Sequence, residues 1–318
     1  MRHSASALNT LSKCGYKYYL EKFKGLKEQG KRSYNMLLGD IVGTAIQHAA
    51  EVLHKTKRVS GEDIKNALIR SYQENHTRAG ITPELTDRII TLIARGTDLD
   101  VMADIDLLSS AINSTQYEFV PPALLKNGQP SKDKKKPALS YTVIIALEAV
   151  HWFFDEFHAH YKVIRDADVV EAEKAFEVPI GVPYSVRVND KVIEQRDTLS
   201  GRFDLYCKTG EAEVVYELKY TNTEYKQEQV NHLTQVLAYD YAIKGDVHLV
   251  DIKRQTVLKA VITDPLREMF INRTNMARLM VDNQIFLPAC GSDPYTENSI
   301  LCGFKCGGCP YATKELAC

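Results

Sequence analysis

Hydrophobic periodicity changes once along this chain, and that change limits the folds open to it. Up to about residue 165 apolar side chains recur every three or four positions, as at Leu37, Ile41, Ala45, Ala49 and Leu53, which is the spacing of one helix face. From Val169 onward the apolar residues fall into short β-rich runs separated by turn residues: Val169 to Ile180, Tyr184 to Val188, Gly201 to Lys208 and Ala212 to Tyr220. These predict a mostly antiparallel set of strands. Gln227 to Ile243 and Pro265 to Ile285 return to helical spacing, with Pro265 suited to a first turn. Val247 to Lys253 and Thr256 to Ile262 read as further strands between them. Helices followed by sheet, helix, strands and helix predict an α/β fold, with a central mixed sheet of about four or five strands flanked by helices.

The 318 residues are read as a single domain in four parts: N-terminal helices over 1–60, a helical insertion over 61–165, the sheet and its helices over 166–285, and a cysteine-rich tail over 286–318. Ser6 to Phe23 and Tyr34 to Lys55 are the first helices, and the second carries Gly39 and Gly43 on one face, where something packs closely. The insertion is expected to arch over the sheet and is interrupted between Val120 and Leu139 by Pro121, Pro122, Gly128 and Pro130. That loop holds the run Lys132-Asp133-Lys134-Lys135-Lys136, readable as a solvated excursion or as a basic flap for a phosphate backbone. Tyr141 to Val163 resumes as a long helix whose Trp152, Phe153 and Phe157 are expected in the core. Apolar residues at 44% and charged residues at 25% exclude a wholly disordered chain. A formal charge of -1 means that any contact with phosphates must be local. No segment reaches the roughly 18 apolar residues of a membrane span and the first residues lack a leader's apolar core, so a cytoplasmic protein is expected.

Two apolar runs contain charges that need explaining. In Gly201-Arg202-Phe203-Asp204 and Val215-Tyr216-Glu217-Leu218-Lys219, strand alternation turns Glu217 and Lys219 to one side, and Asp204 can join them from the next strand. Two acids on neighbouring strands suit a hard divalent cation such as Mg²⁺ or Mn²⁺, which takes oxygen ligands and keeps waters for reaction. A lysine beside it can orient or deprotonate that water, the arrangement of metal-assisted phosphodiester hydrolysis. The plainer reading is an edge strand with a surface ion pair, and Asp251-Ile252-Lys253 shows how readily part of the pattern arises.

Four of the seven cysteines cluster at the end of the chain as Cys302-x3-Cys306-x2-Cys309-x8-Cys318. Such density, without a secretory leader, points to a metal centre rather than disulfides. A sulfur-only ligand set favours zinc or iron–sulfur, and a local four-cysteine zinc site is open to this tail. Cys207 and Cys290 are read as small buried residues.

These blocks, taken in order, resemble the PD-(D/E)XK superfamily in its RecB-like branch, which includes the four-cysteine nucleases associated with CRISPR systems and the nuclease domains of bacterial recombination helicases. The resemblance rests on Ser4-Ala5-Ser6 with Cys14-Gly15-Tyr16-Lys17-Tyr18-Tyr19, on Leu38-Gly39-Asp40-Ile41-Val42-Gly43 leading to His48, on Gly201 to Asp204 with Glu217 to Lys219, and on Gln235-Val236-Leu237-Ala238-Tyr239. It implies a restriction-endonuclease-like core and DNA cleavage, expected as exonuclease action on single strands or ends in recombination, repair or processing, with a helicase or CRISPR-type partner. It implies that His48, Asp204, Glu217 and the Leu218 carbonyl hold the metal, that Lys219 is the catalytic lysine, and that Gln235, Tyr239 and Glu173 support the site or its substrate, with Glu171 competing for the last role. It further implies a 4Fe-4S cluster on Cys14, Cys306, Cys309 and Cys318, stapling the two ends of the chain. The final cysteine interval is longer than the family's usual one, and Cys302 is an alternate ligand. Two other readings follow from the same residues: a non-catalytic DNA-binding subunit of the same fold, and a zinc-ribbon scaffold protein.

Overall fold

The structure is a computed structural model that describes residues 1–13, 15–25, 34–79, 87, 89–91, 93, 139–188, 191–243 and 245–285. The lysine run from Lys132 to Lys136, Cys14, Cys290, Cys302, Cys306, Cys309 and Cys318 lie outside the described residues, as does most of the loop expected between residues 120 and 139. The chain opens with β1 (Arg2–Ser4), α1 (Ala5–Lys13) and α2 (Gly15–Lys22). It continues with α3 (Tyr34–Thr56), α4 (Gly61–Ala79), α5 (Leu139–Phe153) and α6 (Ala159–Asp166). The strands β2 (Val169–Val188), β3 (Lys191–Thr209) and β4 (Ala212–Lys219) follow, then α7 (Gln227–Asn231), α8 (Thr234–Ala242), β5 (Asp246–Asp251), β6 (Thr256–Lys259) and α9 (Asp264–Asp282).

The sheet has six strands in the order β1-β3-β4-β5-β6, with β2 also paired to β3. It is mixed: β2/β3, β3/β4 and β5/β6 are antiparallel, while β1/β3 and β4/β5 are parallel. The parallel β4/β5 pair requires a crossover, which α7 and α8 supply. Two features depart from the four or five strands expected. β1 contains three residues, too few to show alternation, yet it pairs in parallel with Thr198–Ser200 of β3. Val169 to Ile180 and Tyr184 to Val188 fuse into one strand, because the register shift between Ile180 and Tyr184 accommodates the break at Gly181, whose φ is +83°.

The strands feed side chains into different cores, and on β3 the alternation breaks at Asp204, since Phe203 and Leu205 lie in different clusters. Leu205, Cys207, Tyr216 and Val250 pack against Ile41, Ala45, Ala49, Leu68 and Phe153 of α3, α4 and α5. Phe203, Val215 and Leu249 pack on the other face against Val230, Val236 and Tyr239 of α7 and α8. A third cluster joins Leu8 and Leu11 of α1 to Leu199 and to Phe270 of α9. The mixed sheet with helices on both faces fits a restriction-endonuclease-like fold. Cys207 is buried and free, as its apolar surroundings suggested. Phe153 is buried but Phe157 is 87% exposed, correcting the expectation that it packs in the core. The helix stops at Phe153, so the turn that follows carries Phe157 off the apolar face.

Candidate active site

The strand register aligns three acids. Leu205 pairs with Tyr216, which sets Asp204 opposite Glu217 one step further along β3 and β4. On the other side of β3, Ala172 pairs with Leu205 and Lys174 with Phe203, leaving Glu173 opposite Asp204. The recorded β3/β4 pairs stop at Leu205/Tyr216, and beyond that point the Leu218 amide donates to the Asp204 carboxylate at 2.8 Å instead of to a strand carbonyl. The sheet therefore forks at the acids. Glu173 itself sits at φ +51°, a left-handed conformation that costs a non-glycine residue strain and concentrates at functional sites.

Helix α3 lies across this fork. A Cβ at Gly39 would stand 3.2 Å from the Tyr220 Cβ, and one at Gly43 would lie 4.0 Å from Leu218 Cδ1. The two glycines thus let the helix approach the end of β4, and Gly39 is the tighter of the two. Between α3 and the strands is a cleft of about 600 Å³ lined by His48, Glu51, Glu74, Glu173, Arg202, Asp204, Leu218 and Lys219, among others. Glu171 is absent from this lining and instead pairs with Lys174 at 3.4 Å, so Glu173 is the acid presented to the cleft. Glu217 lies beneath the cleft, 1% exposed.

The charges here are crowded. Burial, and next the neighbouring Glu217 charge, push the Asp204 carboxyl well above its ordinary range, against the opposing pull of the Leu218 amide and Lys219. Glu217 is in direct ion contact with the Lys219 ammonium, yet neither of its carboxylate oxygens has a regular hydrogen-bond partner. Burial disfavours the Lys219 ammonium, but Glu217 and Asp204 outweigh it and hold the group above its ordinary value. Lys219 Nζ also donates to Gln235 Oε1 at 3.1 Å, the Gln235 amide donates to the Tyr239 hydroxyl at 2.8 Å, and that hydroxyl donates to the Arg202 carbonyl at 2.7 Å. Gln235 and Tyr239 therefore form a relay that fixes the lysine and ties α8 to β3. Burial, then Glu217 and Asp204, raise the Tyr239 hydroxyl, keeping it neutral.

His48 is on the cleft wall, and its Nε2 pairs with Glu74 Oε2 at 2.9 Å while its buried Nδ1 has no partner. Burial works to raise the Glu74 carboxyl, but the contacts from His48 and Arg70 outweigh it and leave the group below its ordinary value. Among the described residues, no three His, Cys, Asp or Glu side chains are gathered into a group able to hold a metal ion. Asp204 and Glu217 nevertheless fit a hard cation: the oxygens of Glu217 are buried with the Lys219 ammonium as their charge partner, and Mg²⁺ needs only one or two carboxylates when waters and a substrate phosphate complete its shell. His48 is brought to the same cleft without joining those two acids in such a group. The Asp251 pattern resolves differently, because that carboxylate accepts from Arg254 in its own turn and Lys253 reaches Asn222.

Sequence reasoning passed over Gln47, Glu51, Glu74 and Arg202. A signal for the first two existed: Asp40, Thr44, Gln47, His48 and Glu51 form a polar stripe at helical spacing along the otherwise apolar α3, and all five line the cleft. Arg202 is two residues before Asp204, on the same strand face, 71% exposed and 3.9 Å from Glu173.

The model of the PD-(D/E)XK nuclease superfamily matches residues 2–121. That stretch contains the glycines of α3, the polar stripe and His48, while Glu173, Asp204, Glu217 and Lys219 lie beyond it. The superfamily match, which suggests a nuclease, and the acid fork thus come from different parts of the chain. No curated protein matches the chain. Among the described residues, no helix is long and apolar enough to cross a membrane.

Proposed function

We propose that this protein is a nuclease of the RecB-like branch that hydrolyses DNA phosphodiester bonds with Mg²⁺ or Mn²⁺, acting on single strands or ends. The observation that carries this reading is the pair of opposed carboxylates at the β3/β4 fork, with Glu217 buried in ion contact with Lys219. Asp204 and Glu217 would hold the cation, with the Leu218 carbonyl and His48 as further candidates at the cleft. The bound cation would supply an activated water and an electrophilic partner for the phosphate.

The protein's own groups do the remaining work. Held as an ammonium by Glu217 and Asp204, Lys219 donates toward the attacking oxygen or the developing charge on the phosphate. Gln235 and Tyr239 keep it aimed. The exposed guanidinium of Arg202 suits a neighbouring phosphate on the substrate strand. This local cationic contact matters in a chain of net charge -1. On the resemblance to the RecB-like branch, Cys14 would join Cys306, Cys309 and Cys318, with Cys302 as alternate, around a 4Fe-4S cluster with a structural role. The substrate's delivery would fall to a helicase or a CRISPR-type partner.

The test is cleavage of end-labelled single- and double-stranded DNA by the full chain with Mn²⁺, beside Lys219→Ala. Loss of one charge-stabilising donor should lower kcat by about 10²- to 10³-fold. Equal cutting by the two proteins would remove the catalytic assignment.

A further inference from the structure

Gln47 is 8% exposed and sits on α3 immediately before His48. Its amide nitrogen donates to Glu173 Oε1 at 3.1 Å and to the Asp204 main-chain carbonyl at 2.8 Å. One side chain thereby uses both of its N–H groups to join a helix to two strands that lie 126 and 157 residues further along the chain. Building on the nuclease reading, we propose that Gln47 is a positioning residue that sets the spacing of the Glu173–Asp204–Glu217 row and locks it to the helix bearing His48.

The chemistry of the amide explains why this position suits glutamine. Like charges directly across a pair of strands repel, so the row tends to open unless something holds it, and Glu173 must also be kept in its left-handed conformation. A lysine or arginine here would hold the acids by neutralising them and would compete with a cation for the same oxygens. A glutamate would add another negative charge. An amide donates two hydrogen bonds with no net charge, leaving the acids free to take a cation. By fixing the Asp204 main chain it also fixes the carboxylate that caps Leu218 at the fork. The support behind Gln47 is firm, since α3 is braced from its other side by Ser71, whose hydroxyl donates to the Ile41 carbonyl at 2.6 Å.

The test compares Gln47→Met, which keeps the volume and removes both donors, with Ser71→Ala, which loosens the same helix without touching the acids. Equilibrium Mn²⁺ binding to the full chain without DNA, read by electron paramagnetic resonance, is measured together with thermal unfolding in chelator. Losing a group that orients metal ligands should weaken Mn²⁺ by about tenfold or more in Gln47→Met, and leave Ser71→Ala within about twofold of wild type at a comparable loss of melting temperature. Unchanged Mn²⁺ affinity in Gln47→Met, or an equal fall in both variants, would overturn the positioning role. Asp204→Asn separates this from the underlying reading: if wild type binds Mn²⁺ no better than that variant, the nuclease site is wrong and the proposal falls with it.

Discussion

Asp204→Asn should make the metal-free protein more stable while abolishing its activity. Asp204 is buried opposite Glu217, and burial followed by that neighbouring charge raises its carboxyl well above the ordinary range. Asparagine keeps an oxygen to accept the Leu218 amide at 2.8 Å and removes the charge, while Lys219 retains Glu217 as its partner. Relieving one buried, poorly compensated charge stabilises the fold by about 1–3 kcal/mol. At about 2 °C per kcal/mol for a large domain, that is a rise of roughly 2–6 °C in Tm. The pH dependence has a definite sign. A carboxyl with a raised folded-state pKa supports the fold fully below its unfolded value of about 4, and that support is lost as pH climbs toward the folded value. The advantage of the asparagine variant should therefore vanish near pH 4 and grow above it. Adding Mn²⁺ should reverse the order, because wild type gains binding free energy that the variant cannot. Melts from pH 4 to 8 in chelator, repeated with Mn²⁺, provide the assay. A variant that melts below wild type at pH 7 in chelator, or a difference that does not change with pH, would refute the account of a strained acid pair.

Gly201→Ala should destabilise the protein by about 1–3 kcal/mol, as overpacking does, because its Cβ would stand 2.7 Å from two Phe176 ring atoms. Phe176 is stacked on Phe203 at 4.6 Å and meets Tyr239, so Lys219's support should loosen too; an unchanged Tm would show that the ring yields freely. Cys14→Ala should lose the brown colour and the iron of the purified protein and lower its stability. Full iron content in that variant would remove Cys14 from the ligand set.

What was legible in the sequence was local. Helical spacing marked α3, β-rich runs marked β4 and the Gly201 to Lys208 part of β3, and the charges placed inside apolar strands drew attention to Asp204, Glu217 and Lys219, because burying such groups demands compensation. The four-residue step from Gln235 to Tyr239 likewise put both on one helix face, and the structure connects them to each other and to Lys219. What escaped depended on pairings between distant segments. β1 owes its existence to Thr198–Ser200 of β3, and three residues carry no period of their own. Glu173 could not be separated from Glu171 by composition, since only the register with β3 and the backbone at φ +51° present the former to the cleft. Gln47 gave a faint signal as part of a polar stripe, but its meaning resides in Glu173 and the Asp204 carbonyl, which no local pattern on α3 can announce.

The fork also explains why Asp204 is difficult to replace by any neutral residue without changing what the site can do. Its carboxylate accepts the Leu218 amide at the point where β4 leaves β3, and it also faces Glu217 across the opening. Asparagine satisfies the first demand and relieves the second, so selection for stability alone would favour it. An aspartate held at that point, with a lysine anchored by two further side chains and an uncharged amide steadying the strand behind it, makes physical sense if the site must keep its negative charge available for a cation. The strain at the fork and the chemistry proposed there therefore have one origin: carboxylates brought face to face by strand register and buried together beside a single lysine.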